Sequence, residues 1–299
     1  MKKNYNFSSF FKKANLLSFI LFSISIFFII FKGLNYGIDF KGGTLIEIRI
    51  DNKNIKISDV RTSFKNYNLG DINIKEFGEK GDYLIKIEDT NQKDLIPKLK
   101  KDLKKNLQSG VNFRRVEKVG PKVSSELLKS GLIAIFLSLG AMLFYIWIRF
   151  EWQFSLGSIV ALFHDVIITI GIFSILSLEI NLSIIAAVLT IVGYSMNDTV
   201  VIYDRIRENL SKFNKVKIND IANLSINETL SRTIITSITT LLALFSIFLL
   251  GGEILRGFSF AMILGVFIGT YSSIFVAAPI LKFFNVNFET MQKDDNTNV

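Results

Sequence analysis

Six apolar runs dominate this chain, and each is long enough to cross a bilayer as a helix, which takes about 20 residues. They run from Ala14 to Phe31, Ser130 to Ile148, Phe154 to Leu178, Leu182 to Ile202, Thr233 to Leu250, and Phe258 to about Lys282. Backbone polar groups inside a bilayer must be satisfied within their own segment, so helices are the expected form. Lys2, Lys3, Lys12 and Lys13 precede the first run, as in a secretory leader. That run is longer than a leader core and no small-residue cleavage site follows, so it is expected to stay as an anchor.

Charge gives the expected sidedness. Lys2, Lys3, Lys12, Lys13, Arg149, Arg205, Arg207, Lys212, Lys215, Lys217, Arg232 and Lys293 all fall on one side, whereas the short loops opposite hold Glu179, Glu253 and Arg256. The basic side is expected to be cytoplasmic, with both termini there. The same bias accounts for the net charge of +9 without nucleic acid as a partner, since no basic patch alternates with base-stacking aromatics. The chain has no cysteine, which rules out disulfides and thiolate metal sites.

The domain division expected is an N-terminal tail at 1–13, a first membrane helix at 14–34, a folded domain at 35–128, membrane helices at 129–284 with a connecting loop at 204–231, and a tail at 285–299. The polar stretch after the first run is too long for a loop. Thr44–Ile50 alternates as a strand, and Ser58–Tyr67 reads as a helix with Ser58 as its cap. Asp71–Phe77 and Tyr83–Glu88 flank a turn, Gly78–Asp82, as a hairpin. Leu95, Ile96, Leu99, Leu103 and Leu107 have helical spacing within Asn91–Leu107, and Val111–Val119 alternates again. Strand, helix, strand, strand, helix, strand is the ferredoxin-like order. The expected fold class is therefore an α-helical polytopic membrane protein with one small α+β domain. Glycines 37, 42 and 43 lack the Gly-Lys-Ser/Thr ending of a phosphate loop. The lysines at 98, 100, 101, 104 and 105 are expected to form a solvated helix face. Gly120-Pro121 breaks the chain before the second run.

Charges at membrane depth are costly and ask for a reason. Asn197 and Asp198 lie one turn from the basic end of the fourth run. Thr190, Tyr194, Asn197, Asp198 and Val201 fall on one face at about 100° per residue, and Arg205 continues it. That face is expected to meet a protein interior or a wet cavity. His164, the chain's only histidine, and Asp165 lie at similar depth in the third run, and Arg232 opens the fifth. An arginine near Asp198 and burial would pull its proton affinity in opposite directions, which is what a switchable proton carrier needs. A structural role, with Asp198 bonded to a neighbouring Ser, Thr or Arg, remains the alternative. Gly265, Gly269 and Ser273 recur every four residues, as at a close helix crossing.

Residues Gly193 to Asn209, reading GYSMNDTVVIYDRIREN, resemble the signature of the SecF branch of the SecD/SecF family, within the RND superfamily of proton-driven transporters. Gly37 to Thr44, reading GIDFKGGT, resembles the family's opening motif for its first extracytoplasmic domain, with Asp39, Phe40, Gly42 and Gly43 as its marked positions. In the longer signature these are Gly193, Asp204, Arg205 and Arg207. Residues 161–165, 230–233, 251–252 and 257–259 are similar too. The resemblance implies a subunit of the bacterial Sec export machinery in the inner (plasma) membrane, with its domain periplasmic. It implies SecD and the SecYEG channel as partners, with YajC and YidC, and an unfolded polypeptide as cargo. Protons would supply the drive, with Asp198 as carrier and Arg232 as its partner. No enzymatic activity, cofactor or metal is expected. An RND-type small-molecule or lipid exporter is a less fitting reading, because such chains usually hold two six-helix units and two large domains. A structural partner of the channel would tolerate neutralising Asp198 and Arg232. An intramembrane aspartyl protease would need a Gly-x-Gly-Asp that is absent.

Overall fold

The computed structural model describes residues 4–64, 67, 69, 72–88, 95–213, 216–284 and 286. The chain divides into two compact units, one of Tyr36–Leu132 and one formed by the residues up to Asn35 and from Ile133 onward. In chain order its helices are α1 (Phe11–Phe31), a short α2 (Ile38–Lys41), α3 (Ile57–Phe64), α4 (Leu95–Leu107), α5 (Pro121–Arg149), α6 (Trp152–Ile175), α7 (Leu182–Lys212), α8 (Ile218–Leu250), α9 (Gly252–Ser272) and α10 (Ala278–Phe283). A 3-10 turn at Phe7–Phe10 leads into α1, and one π-helical turn at Ser273–Ala277 joins α9 to α10. Among the described residues six helical spans are long and apolar enough to cross a membrane.

Small residues set the closest helix crossings in the larger unit. A Cβ on Gly171 of α6 would fall 2.3 Å from the Ser25 Cβ of α1. The Ser174 hydroxyl donates to the Phe28 carbonyl at 3.0 Å beside it. Helices α7 and α9 run parallel in matched register: Gly265 abuts Ile191, Gly269 abuts Ser195, and Ser273 bonds Thr199. The Gly-Gly-Ser series thus packs within this chain, as close small-residue crossings do.

The segment 204–231, expected as a loop, is helical on both sides of a short connection. Helix α7 continues past Ile202 to Lys212, and α8 begins at Ile218 rather than near Thr233. The polar extensions hold together because Ile206, Leu210, Ile221, Ala222 and Ile226 are buried between them. The Arg205 Nε meets Glu228 at 2.6 Å, and Asn209 donates to Ser225 at 3.0 Å and to Glu228 at 2.8 Å. A search for membrane-length runs ends where hydrophobicity ends, although the 3.6-residue periodicity does not. Helix α5 likewise begins at Pro121, well before Ser130. Proline suits the first helical turn, where its missing N–H leaves no bond unmade.

The smaller unit is a four-stranded antiparallel sheet of β1 (Gly43–Ile50), β2 (Ile72–Glu76), β3 (Asp82–Ile87) and β4 (Val111–Val119), in the order β2-β3-β1-β4. This is the ferredoxin-like arrangement. Ile46, Ile48, Ile50, Ile85 and Ile87 face α3 and α4, which contribute Val60, Phe64, Leu99 and Leu103. The capping residue differs from expectation. Ser58 lies inside α3, and the Asp59 carboxylate accepts the Lys56 N–H at 3.0 Å. The expected start of the second helix at Asn91 lies outside the described residues. Lys98, Lys100, Lys101, Lys104 and Lys105 are exposed on α4, while Leu99 and Leu103 are buried.

The two glycines opening β1 have a backbone reason. Gly42 and Gly43 sit at φ of 80° and 128°, a region that L side chains rarely adopt. A Cβ on Gly43 would also lie 2.6 Å from the Ile87 carbonyl oxygen. Beside them Phe40 is buried, with its ring edge-on to Tyr36.

Candidate functional site

Asp165 is completely buried in the middle of α6. Its Oδ2 accepts from the Ser195 hydroxyl of α7 at 2.5 Å and from the Ser272 hydroxyl of α9 at 2.7 Å. Its Oδ1 lies 2.9 Å from His164 Nδ1. One carboxylate therefore ties three helices together. Buried carboxylates are tolerated on such terms, because hydrogen bonds to a charged acceptor replace lost water.

The His164 ring lies near-parallel to the rings of Phe22 and Tyr271, at centroid distances of 6.5 and 6.4 Å. Its Nε2 is buried and, among the described residues, has no hydrogen-bond partner. With Nδ1 committed to Asp165, Nε2 is the uncommitted nitrogen of the ring.

Asp198 is also buried, on the face of α7 toward α9, but it is held loosely. Among the described residues its only side-chain hydrogen bond comes from the Thr270 hydroxyl at 3.4 Å. Thr270 in turn shares a 2.8 Å bond with Ser237 of α8. The Ser237–Thr270–Asp198 row thus crosses three helices. One turn before Ser237 on α8, the Thr233 hydroxyl is buried and, among the described residues, has no partner.

Arg232 is exposed and, among the described residues, makes no ion pair within 4.0 Å. It does lie within coulombic reach of Asp198. The anticipated polar stripe of α7 divides. Asp198 turns inward, whereas Asn197 and Thr190 are exposed, and the Thr190 hydroxyl bonds back to the Ala186 carbonyl at 2.8 Å. Adjacent residues differ by about 100° on a helix, so one stripe a third of the circumference wide spans two environments.

The other motif residues serve separate places. Gly193 faces Met142 of α5, where a Cβ would lie an ordinary 4.0 Å from the methionine methyl. Asp204 pairs with Arg149 at 2.9 Å, Arg205 with Glu208 and Glu228, and Arg207 with Glu151 at 3.3 Å. Asp39 lies in α2, in the other unit.

The run Thr270-Tyr271-Ser272-Ser273 was not foreseen as part of the site. Thr270 reaches Asp198, and the Tyr271 hydroxyl donates to the Ala14 carbonyl at 2.7 Å. Ser272 reaches Asp165, and Ser273 bonds Thr199 at 2.9 Å. Four successive polar residues inside an apolar span are its signal in the sequence, of which the four-residue spacing of Gly265, Gly269 and Ser273 captures only Ser273. Among the described residues no group of three or more metal-ligating side chains assembles.

Residues 99–287 match the family described as protein export membrane protein SecD/SecF, C-terminal, and residues 27–53 match the SecD/SecF GG motif. The protein translocase subunit SecF of Rickettsia bellii is 46% identical over 96% of both chains. That of Rickettsia prowazekii is 44% identical over 95% of this chain and 92% of its own. Among solved structures, SecDF of Thermus thermophilus, described as a translocon-associated membrane protein, superposes with a TM-score of 0.86 at 34% identity, covering 94% of this chain and 39% of that one. SecDF in a super-membrane-facing form gives a TM-score of 0.71 at 32% identity, over 100% of this chain and 40% of that one. This chain spans about two-fifths of the length of those SecDF chains.

Proposed function

This chain belongs to the SecD/SecF family of protein-export membrane proteins, on its SecF side, and from that premise we propose that it works with SecD as a proton-driven subunit promoting polypeptide translocation through SecYEG. The observation that carries the reading is the pair of buried carboxylates on facing helices, one fixed and one loose. A group that braces helices gains from many bonds, as Asp165 has. A group that must change partner gains from few, as Asp198 has.

In this mechanism Asp198 accepts a proton from the extracytoplasmic side and releases it toward the cytoplasm. Thr270 and Ser237 supply the hydroxyl row along which it moves, and Arg232 favours the ionised form when it swings closer. His164 and Asp165 form a second proton-holding pair beside it. One charge crossing a potential of ~150 mV is worth roughly 3–4 kcal/mol. That shifts a two-state equilibrium by about two to three decades, enough to bias the motion of an already unfolded chain and too little to unfold a stable domain. The resemblance supplies YajC and YidC as further partners and a non-enzymatic role, and the bias of basic residues supplies a cytoplasmic setting for both termini.

The test is Asp198→Asn, at normal expression and with SecD association intact. Export is expected to lose its response to the proton gradient. Export that keeps its full response sinks the reading.

A further inference from the structure

The π-helical turn Ser273–Ala277 is held at both ends and along one flank. At its start, Ser272 bonds Asp165 and Ser273 bonds Thr199. At its end, the buried Tyr203 hydroxyl of α7 donates to the Ala277 carbonyl at 2.9 Å. Gly157 makes room for that hydroxyl, since a Cβ there would lie 2.3 Å from it. Pro279 follows and has no N–H to offer the preceding turn, so regular α-hydrogen bonding cannot run through this point. On the flank, the Phe275 ring packs against Phe7 and Phe11.

Phe7 belongs to an N-terminal strap docked on the early turns of α8. Asn227 treats Tyr5 as a strand would, accepting its N–H at 2.8 Å and donating to its carbonyl at 2.8 Å. Asn223 accepts the Phe7 N–H at 2.7 Å and the Ser8 N–H at 3.3 Å. These bonds are to backbone, with two asparagines one turn apart reading the segment that enters the 3-10 turn Phe7–Phe10. The strap is thus a docked ligand of α8 that carries a phenylalanine onto the π-turn.

We propose that the π-turn Ser273–Ala277 is a hinge that couples the Asp165 cluster to this strap, so that the bonding of Asp165 and the docking of residues 5–8 on Asn223 and Asn227 favour or disfavour each other. A π-turn carries one residue more than the α-turn it replaces and sits readily at sites of conformational change. Releasing Ser272 from Asp165 frees one anchor of the turn, and any rotation there carries Phe275 away from Phe7. Coupling between two sites is reciprocal, so undocking the strap must loosen the turn in equal measure. The proposal takes from the functional reading only its trigger, a change of charge at Asp165.

Amide hydrogen exchange on the full chain in lipid nanodiscs tests it in both directions. Asn227→Ala is expected to speed exchange at residues 5–9, and also at 274–280 by about fivefold or more, the lower edge of ordinary coupling. Asp165→Asn is expected to speed exchange at Phe7 and Ser8 by a similar factor. If that variant does not accumulate, Ser272→Ala removes the same link with a milder change. Faster exchange confined to the strap in Asn227→Ala, or an unmoved strap in both Asp165→Asn and Ser272→Ala, overturns the proposal and leaves the strap as a local anchor. The readout involves no export, so it can succeed or fail independently of the Asp198→Asn result.

Discussion

The Ser195 hydroxyl of α7 donates to the Asp165 carboxylate of α6 at 2.5 Å, only three residues before Asp198 on the same helix. The two carboxylates therefore share a scaffold but not a bonding state. Removing either donor leaves a fully buried acceptor short of a partner. Ser195→Ala and Ser272→Ala are each expected to cost about 1–3 kcal/mol. The double variant should cost more than the sum, because both hydroxyls meet the same oxygen and only their joint loss leaves it without a hydroxyl donor. Thermal unfolding in detergent measures all three.

Thr270 offers a cleaner probe of the hydroxyl row. Thr270→Val keeps the shape and removes the bridge between Ser237 and Asp198. Gradient-driven export is expected to slow about tenfold, the rate equivalent of one lost hydrogen bond. Thr270→Ser, which restores a hydroxyl, should recover most of it. Equal rates in Val and wild type would exclude the row from proton movement.

Gly43 is expected to be the least replaceable position of the smaller unit. Gly43→Ala sets a Cβ against the Ile87 carbonyl in a backbone conformation hostile to alanine, at an expected cost of about 2–4 kcal/mol. Gly120→Ala meets nothing within 4 Å and should be nearly silent. Limited proteolysis of the full chain distinguishes them through cleavage within 36–132.

Acid should weaken the same unit at Asp82. A hydrogen bond from Arg49 holds its carboxyl below the ordinary 3.8, with burial opposing and Arg114 assisting. A group with a depressed folded value stabilises above the unfolded value and loses that contribution as pH falls through the folded one. Asp82→Asn should thus speed exchange of β1 and β3 amides at pH 7, and the gap from wild type should close below about pH 3.8. Tyr67 has the opposite sign. Burial, and then Asp102, push its hydroxyl up to about 12, so its contribution holds below pH 10 and is lost as pH rises through 12. A gap that persists in acid would remove Asp82 from this account.

The six spans and the order of the small domain were legible because each rests on one strong periodic signal, unbroken apolarity or alternation. Asp198 was legible because charge inside such a span is rare. The bonds of Asp165 were not, because Ser195 and Ser272 lie 30 and 107 positions away, and single serines in apolar helices usually bond their own backbone. The helices of the 204–231 segment are hidden for the reverse reason. Their pattern is plain in Ile206, Leu210, Ile221, Ala222 and Ile226, but it continues beyond the hydrophobic run. Asn197 shows the resolution of such arguments: one residue from Asp198, it faces the other way.

The run Thr270 to Ser273 has a further consequence. At about 100° per residue these side chains point around most of the helix circumference, and they are tied to α7 and α8, to α1, to α6, and to α7 again. A helix tethered on so many sides has no soft direction in which to turn. It can move only by exchanging one countable set of partners for another. Followed one molecule at a time, such a chain would dwell and jump between levels, with waiting times set by the slowest exchange, and would not drift.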